Sequence, residues 1–251
     1  MTKQPFYLLN PNPWPIILSL NLFNLINSMI FWMSSNNMIL LMINLFLLLM
    51  SSLKWWVDIK KESMYIGIHS YIIYMNLKMG FIIFIMTEIL VFSSLLINFF
   101  YNKFLNYDMM WPPKFIKLFN PYEIPLLNTF ILFSSSMTIT WAHHCLLLKN
   151  KKNMKTAIYL TLMLGNYFMI LQIYEFISMK FNINDSIYGH SFFLTTGFHG
   201  LHVIIGLIFI TSFLNKMKYM SPNHHFNFES AAWYWHFVDL VWLFVFTSLY
   251  L

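Results

Sequence analysis

The chain has 251 residues, of which 59% are hydrophobic, 20% aromatic and only 10% charged. Soluble domains carry about 25% charged residues, so this composition excludes a water-soluble globule. The net charge of +6 comes from lysines scattered between apolar blocks, with no basic patch interleaved with stacking aromatics, so no nucleic-acid partner is expected.

The apolar blocks have helical length, which favours an all-α polytopic membrane protein over a barrel of short alternating strands. The single cysteine, Cys145, excludes an intrachain disulfide or a Cys-rich metal centre. Phe, Tyr, Met, Ile, Asn and Lys are abundant and arginine is absent. Those residues have AT-rich codons, so an AT-rich, organellar gene is the expected source of the bias.

Seven spans are expected in one transmembrane domain, at 15–33, 38–53, 71–101, 126–148, 156–178, 190–214 and 229–251. The first opens at Trp14-Pro15, where proline fits the first helical turn. A short polar turn, Ser34-Ser-Asn-Asn37, makes spans one and two an antiparallel hairpin, and Lys54-Trp55-Trp56 reads as an interfacial end to the second. The charged connection from Asp58 to Glu62 precedes span three, and a proline-rich loop with Trp111-Pro-Pro113 and Asn120-Pro-Tyr-Glu-Ile-Pro125 precedes span four. Lys149 to Lys155 is expected as a basic turn before span five. On span six, Gly197, Gly200 and Gly206 are expected to permit close helix approach.

With seven spans, Lys3, Lys54, Lys60, Lys61, Lys78, Lys149, Lys151, Lys152, Lys155, Lys216 and Lys218 share one side, and Lys103, Lys114, Lys117 and Lys180 the other. The positive-inside rule places the N-terminus on the more basic side.

Ionisable residues inside such spans are functional candidates. Glu88 lies ten residues beyond Lys78, about 15 Å deeper along a helix, with no cation near it in sequence. It suits either a proton-relay carboxyl or a hydrogen-bonded anchor. Glu175 sits toward the end of span five, where a helix-end interface is as good a reading as a functional one. His236 and Asp239 are three residues apart, and Trp235, Asp239 and Trp242 share a helical face that should turn away from lipid. Nine histidines invite a metal reading, but adjacent pairs such as His143-His144 diverge by about 100° on a helix. His199 and His202 share a face without an evident carboxylate or thiol beside them. No metal ligand set and no catalytic set is expected.

Motifs in order along the chain, Asn12-Pro-Trp-Pro15, Trp55-Trp56 with Asp58, Trp111-Pro-Pro113, Asn120-Pro-Tyr-Glu-Ile-Pro125, Thr140-Trp-Ala-His-His144, Thr196-Gly-Phe-His-Gly-Leu-His202, His224-His-Phe-Asn-Phe-Glu229 and Ala231-Ala-Trp-Tyr-Trp-His-Phe-Val-Asp239, resemble the subunit III family of mitochondrial cytochrome c oxidase over nearly the whole length. The resemblance implies seven transmembrane helices in two groups, 1–2 and 3–7, around a V-shaped lipid cleft. It implies a cofactor-free core subunit that stabilises the complex, holds phospholipid and supports proton uptake as electrons pass from cytochrome c to oxygen. Haem a, haem a3 and copper would reside in partner subunits, namely catalytic subunit I and subunit II, with accessory subunits alongside. The implied location is the mitochondrial inner membrane, N-terminus in the matrix and C-terminus in the intermembrane space. The family's carbodiimide-reactive intramembrane carboxyl maps to Glu88, and its headgroup contacts map to Trp56, Lys61, His69 and Lys216. The family's Trp-Trp-Arg-Asp reads Trp55-Trp-Val57-Asp58 here, and Lys61 and Lys216 stand for usual arginines. Lysine keeps the charge but loses the bidentate fork for phosphate. Alternatives are subunit III of a quinol oxidase, or a stand-alone proton or lipid transporter, although no paired repeat of the transporter kind is visible.

Overall fold

The computed structural model describes residues 12–61, 71–105, 111–113, 116, 119–214 and 225–251. Among them are seven α-helices and no strand: α1 (Trp14–Ser35), α2 (Ile39–Lys61), α3 (Tyr71–Leu105), α4 (Ile124–Leu147), α5 (Lys151–Ser178), α6 (Ile187–Leu214) and α7 (Phe226–Leu249). Each is long and apolar enough to cross a membrane. The chain forms two compact units, Met1–Met79 and Gly80–Leu251.

In the first unit, Pro15 sits in the opening turn of α1, where its missing N–H costs no helical hydrogen bond. Asn36 ends the helix at φ 54°, a left-handed conformation that asparagine tolerates better than most residues. Its N–H donates to the Trp32 carbonyl at 2.8 Å. Asn37 Oδ1 then accepts from the Ile39 N–H at 3.1 Å and starts α2. The resulting hairpin is joined by side-chain amides. Asn21 Nδ2 donates to Ser51 Oγ at 3.0 Å, and Asn44 Nδ2 donates to the Asn24 carbonyl at 3.2 Å. Ser28 and Ser51 are the buried residues of these helices, as expected where small polar side chains let helices meet in lipid. The Lys54-Trp55-Trp56 signature does not end α2, which continues to Lys61. Nothing in that stretch breaks a helix.

The second unit is organised around α7. It packs against α4 and α6, while α5 packs against α4 and α6. Two thirds of its most apolar window is buried, and Trp235 and Trp242 are fully enclosed. Trp235 Nε1 donates to Ser135 Oγ of α4 at 2.9 Å. Two glycines make room for this indole. A Cβ on Gly165 or Gly206 would lie 2.8 or 2.9 Å from its ring carbons. Gly206 therefore has the close approach expected of span six, whereas Gly197 and Gly200 face open space.

The links between α4 and α5 and into α6 are short. Lys149 adopts φ 58°, and Asn150 Oδ1 accepts from the Asn153 N–H at 3.3 Å. That N-cap starts α5 at Lys151, so the run expected as a basic turn up to Lys155 is mostly helix. Near the other end of the bundle, Tyr250 Oη donates to Glu175 Oε1, and Tyr188 Oη to the Leu249 carbonyl, both at 2.6 Å. Glu175 is completely buried in a helix-end interface.

Candidate functional site

Glu88 of α3 and His202 of α6 form a part-buried polar contact between helices of the second unit. His202 Nε2 lies 3.1 Å from Glu88 Oε2, and the two side chains are 11% and 22% exposed. The other ring nitrogen, Nδ1, is 2.7 Å from the Phe198 carbonyl. A carbonyl only accepts, so Nδ1 must carry a hydrogen and donate it. A hydrogen bond across the Nε2–Oε2 contact then requires one proton between the two atoms, carried by either the imidazole or the carboxyl. Aromatic rings enclose the pair: Phe92 meets the imidazole edge-on at 5.0 Å, and Tyr234 stacks on it at 6.2 Å. Such enclosure limits the water available to stabilise an unpaired charge. The site can hold a proton at a fixed place between two helices.

Sequence spacing could not supply this partner, because 114 residues separate the two. A usable signal did exist. A carboxyl without a local cation needs a partner from another helix, and His202 projects from a glycine-containing helix.

The remaining buried polar groups are separate. His199 has both ring nitrogens buried without a hydrogen-bond partner, and its ring packs on Trp242 at 5.2 Å and Phe168 at 5.7 Å. Trp235 and Trp242 are turned inward as expected. Asp239 shares that side, with buried oxygens beside Ser136 of α4. His143 at the end of α4 meets His225 and Glu229 at the start of α7, a convergence across helices that comparison of neighbouring histidines missed.

In the first unit, Trp14 Nε1 donates to Asp58 Oδ2 at 2.7 Å, and Lys61 Nζ lies 3.1 Å from Asp58 Oδ1. The Lys54 ammonium sits 5.8 Å from the Trp14 ring centroid. Lys54, Val57, Asp58 and Lys61 share one face of α2 at i, i+3, i+4 and i+7 spacing, and with Trp14 they line an open pocket. Trp56, 58% exposed, is not among its lining residues. His69 and Lys216, the other expected headgroup contacts, lie outside the described residues.

Apolar helices joined by interhelical hydrogen bonds and a part-buried carboxyl–imidazole pair define a polytopic α-helical membrane protein. The family described as Cytochrome c oxidase subunit III matches residues 4–251. Cytochrome c oxidase subunit 3 of Locusta migratoria is 43% identical over 253 residues, covering 99% of this chain and 96% of its own. The proteins of the same name from Ceratotherium simum and Drosophila melanogaster are 43% and 41% identical, covering 100% and 99% of this chain and 98% and 97% of theirs. The chain belongs to the cytochrome c oxidase subunit III family.

Proposed function

We propose that the chain serves as the third core subunit of a respiratory cytochrome c oxidase in the mitochondrial inner membrane, without an active site of its own. The observation that carries this reading is full-length membership of the subunit III family. Haem a, haem a3 and copper belong to partner chains, principally the catalytic subunit and subunit II. The chain's part is to stabilise them and to support proton uptake. Tagged chain purified in mild detergent should bring haem a and copper with it, and the chain separated from its partners should retain neither. A pull-down without a haem spectrum overturns the assignment.

Phospholipid retention is the second element. The pocket on α2 presents two ammonium groups, Lys54 and Lys61, one turn either side of Val57, where the family has arginine. The Trp14 indole beside them suits the bilayer interface. Lys61→Gln should lower the number of phospholipid molecules that co-purify, measured as lipid phosphorus per haem. Unchanged phosphorus removes Lys61 from the headgroup contacts. Stripping phospholipid should reduce sustained turnover more than the initial rate, and equal losses count against a lipid-holding role.

The lysine distribution supports an N-terminus in the matrix and a C-terminus in the intermembrane space. Protease protection of terminal tags in intact inner-membrane vesicles tests that orientation, and reversed protection excludes it.

A further inference from the structure

We propose that His143, His225 and Glu229 form a binding site for a zinc-class divalent cation where α4 ends and α7 begins. One nitrogen from each imidazole and one carboxylate oxygen lie within 4.8 Å of one another. His225 Nε2 is 3.0 Å from Glu229 Oε1, and the two imidazole rings are 5.5 Å apart. Two helices contribute, so the ligand positions are set by the packing of α4 on α7. Phe228, 5.8 Å from the His143 ring, walls one side of the cluster.

The donor atoms are already withdrawn from water. His143 Nε2 is buried without a hydrogen-bond partner, and the side chains of His225 and Glu229 are only 12% and 18% exposed. A buried imidazole nitrogen without a partner costs free energy that a bound cation would offset. Two neutral imidazoles and one carboxylate carry a single negative charge, so a divalent ion leaves the cluster at +1.

The donor set selects the class of ion. Magnesium and calcium require an oxygen cage, and soft-metal sites require thiolates. Cys145 is two residues from His143, which turns it about 200° away on the helix, so it does not converge on the site. Two imidazoles and one carboxylate suit zinc, with the fourth tetrahedral position left for water. Zinc bonds of about 2.0–2.2 Å place ligand atoms roughly 3.4 Å apart. Closing the cluster from its present spread therefore takes small side-chain rotations and no movement of the helices.

The test uses the membrane complex that tagged chain brings down in mild detergent, washed with a chelator and dialysed against zinc chloride. Zinc is counted by mass spectrometry, and the haem spectrum reports whether the partners are present, which keeps this question separate from membership of an oxidase. The unsubstituted complex should bind one more zinc ion than either the His143→Ala or the Glu229→Gln complex, with affinity in the variants lower by roughly a hundredfold. Glu229→Gln can keep a hydrogen bond to His225 while losing the anionic ligand, so it carries the test if His143→Ala fails to assemble. Zinc edge X-ray absorption of the unsubstituted complex should show imidazole nitrogens in the first shell. Equal zinc content and affinity in the unsubstituted and Glu229→Gln complexes overturns the proposal, as does a first shell without imidazole.

Discussion

Trp235→Ala is expected to break the second unit at its centre, with a loss of about 3–5 kcal/mol. The indole is fully buried and reaches Gly165 of α5, Gly206 of α6 and Ser135 of α4 at once. Truncation leaves a void enclosed by helices, which neighbouring side chains cannot fill without helix movement. Helices in lipid associate through close packing and interhelical hydrogen bonds, so a lost packing surface is not replaced by a hydrophobic driving force. The expected readout is a marked fall in the amount of complex assembled and in its thermal midpoint in detergent. Trp235→Phe separates the two contributions. It keeps most of the ring, and Ser135 Oγ retains its 2.6 Å hydrogen bond to the Leu132 carbonyl, so the loss should be nearer 1 kcal/mol. Equal damage from both variants would mean that the hydrogen bond, rather than the packing, holds the bundle. Gly206→Val approaches the same site from the opposite side. Its first added carbon lies 2.9 Å from the Trp235 ring, and overpacking at such a position costs typically 1–3 kcal/mol.

The sequence supports the broad fold because lipid imposes a simple rule: buried backbone must be satisfied within each span, so apolar blocks of helical length become helices. Turn chemistry was partly readable. The Ser34–Asn37 break lies at the observed hairpin, where Asn36 and Asn37 supply the caps. The start of α5 was harder, since the lysines at 151, 152 and 155 suggest a solvated turn while Asn150 determines where the helix begins. The glycines of α6 show another limit. All share one helix, but only Gly206 meets Trp235, and spacing alone cannot say which glycine faces a neighbour. The same limit hid both imidazole contacts. Glu88 was conspicuous as an acid in an apolar run, yet its partner is fixed by how α6 lies against α3. His143 had no visible companion beside His144, because His225 and Glu229 come from the start of α7.

Glu88→Gln and His202→Ala are expected to have opposite chemical signatures, which distinguishes a proton-sharing pair from two residues that happen to be close. In Glu88→Gln the side-chain amide can still donate to Nε2 of a neutral His202, whose Nδ1 hydrogen remains on the Phe198 carbonyl. Assembly should be largely preserved, and labelling by a lipid-soluble carbodiimide at position 88 should vanish, because that reagent consumes a protonated carboxyl. Retained labelling at that position rules out Glu88 as the reactive group. In His202→Ala the imidazole no longer competes for the shared proton, so the carboxyl keeps it and labelling should rise. The lost interhelical contact should destabilise the complex by about 0.6–2 kcal/mol, the range of side-chain hydrogen bonds between helices in lipid. The double variant completes a cycle. If the residues act as a unit, the second substitution should cost less once the first is present, with a coupling of at least about 0.5 kcal/mol in thermal stability. Additive losses, together with labelling that is indifferent to His202, would reduce the contact to simple proximity. A coupled result would instead support a held proton at this position, so proton uptake by the assembled oxidase should then respond to Glu88→Gln even when the amount of complex does not.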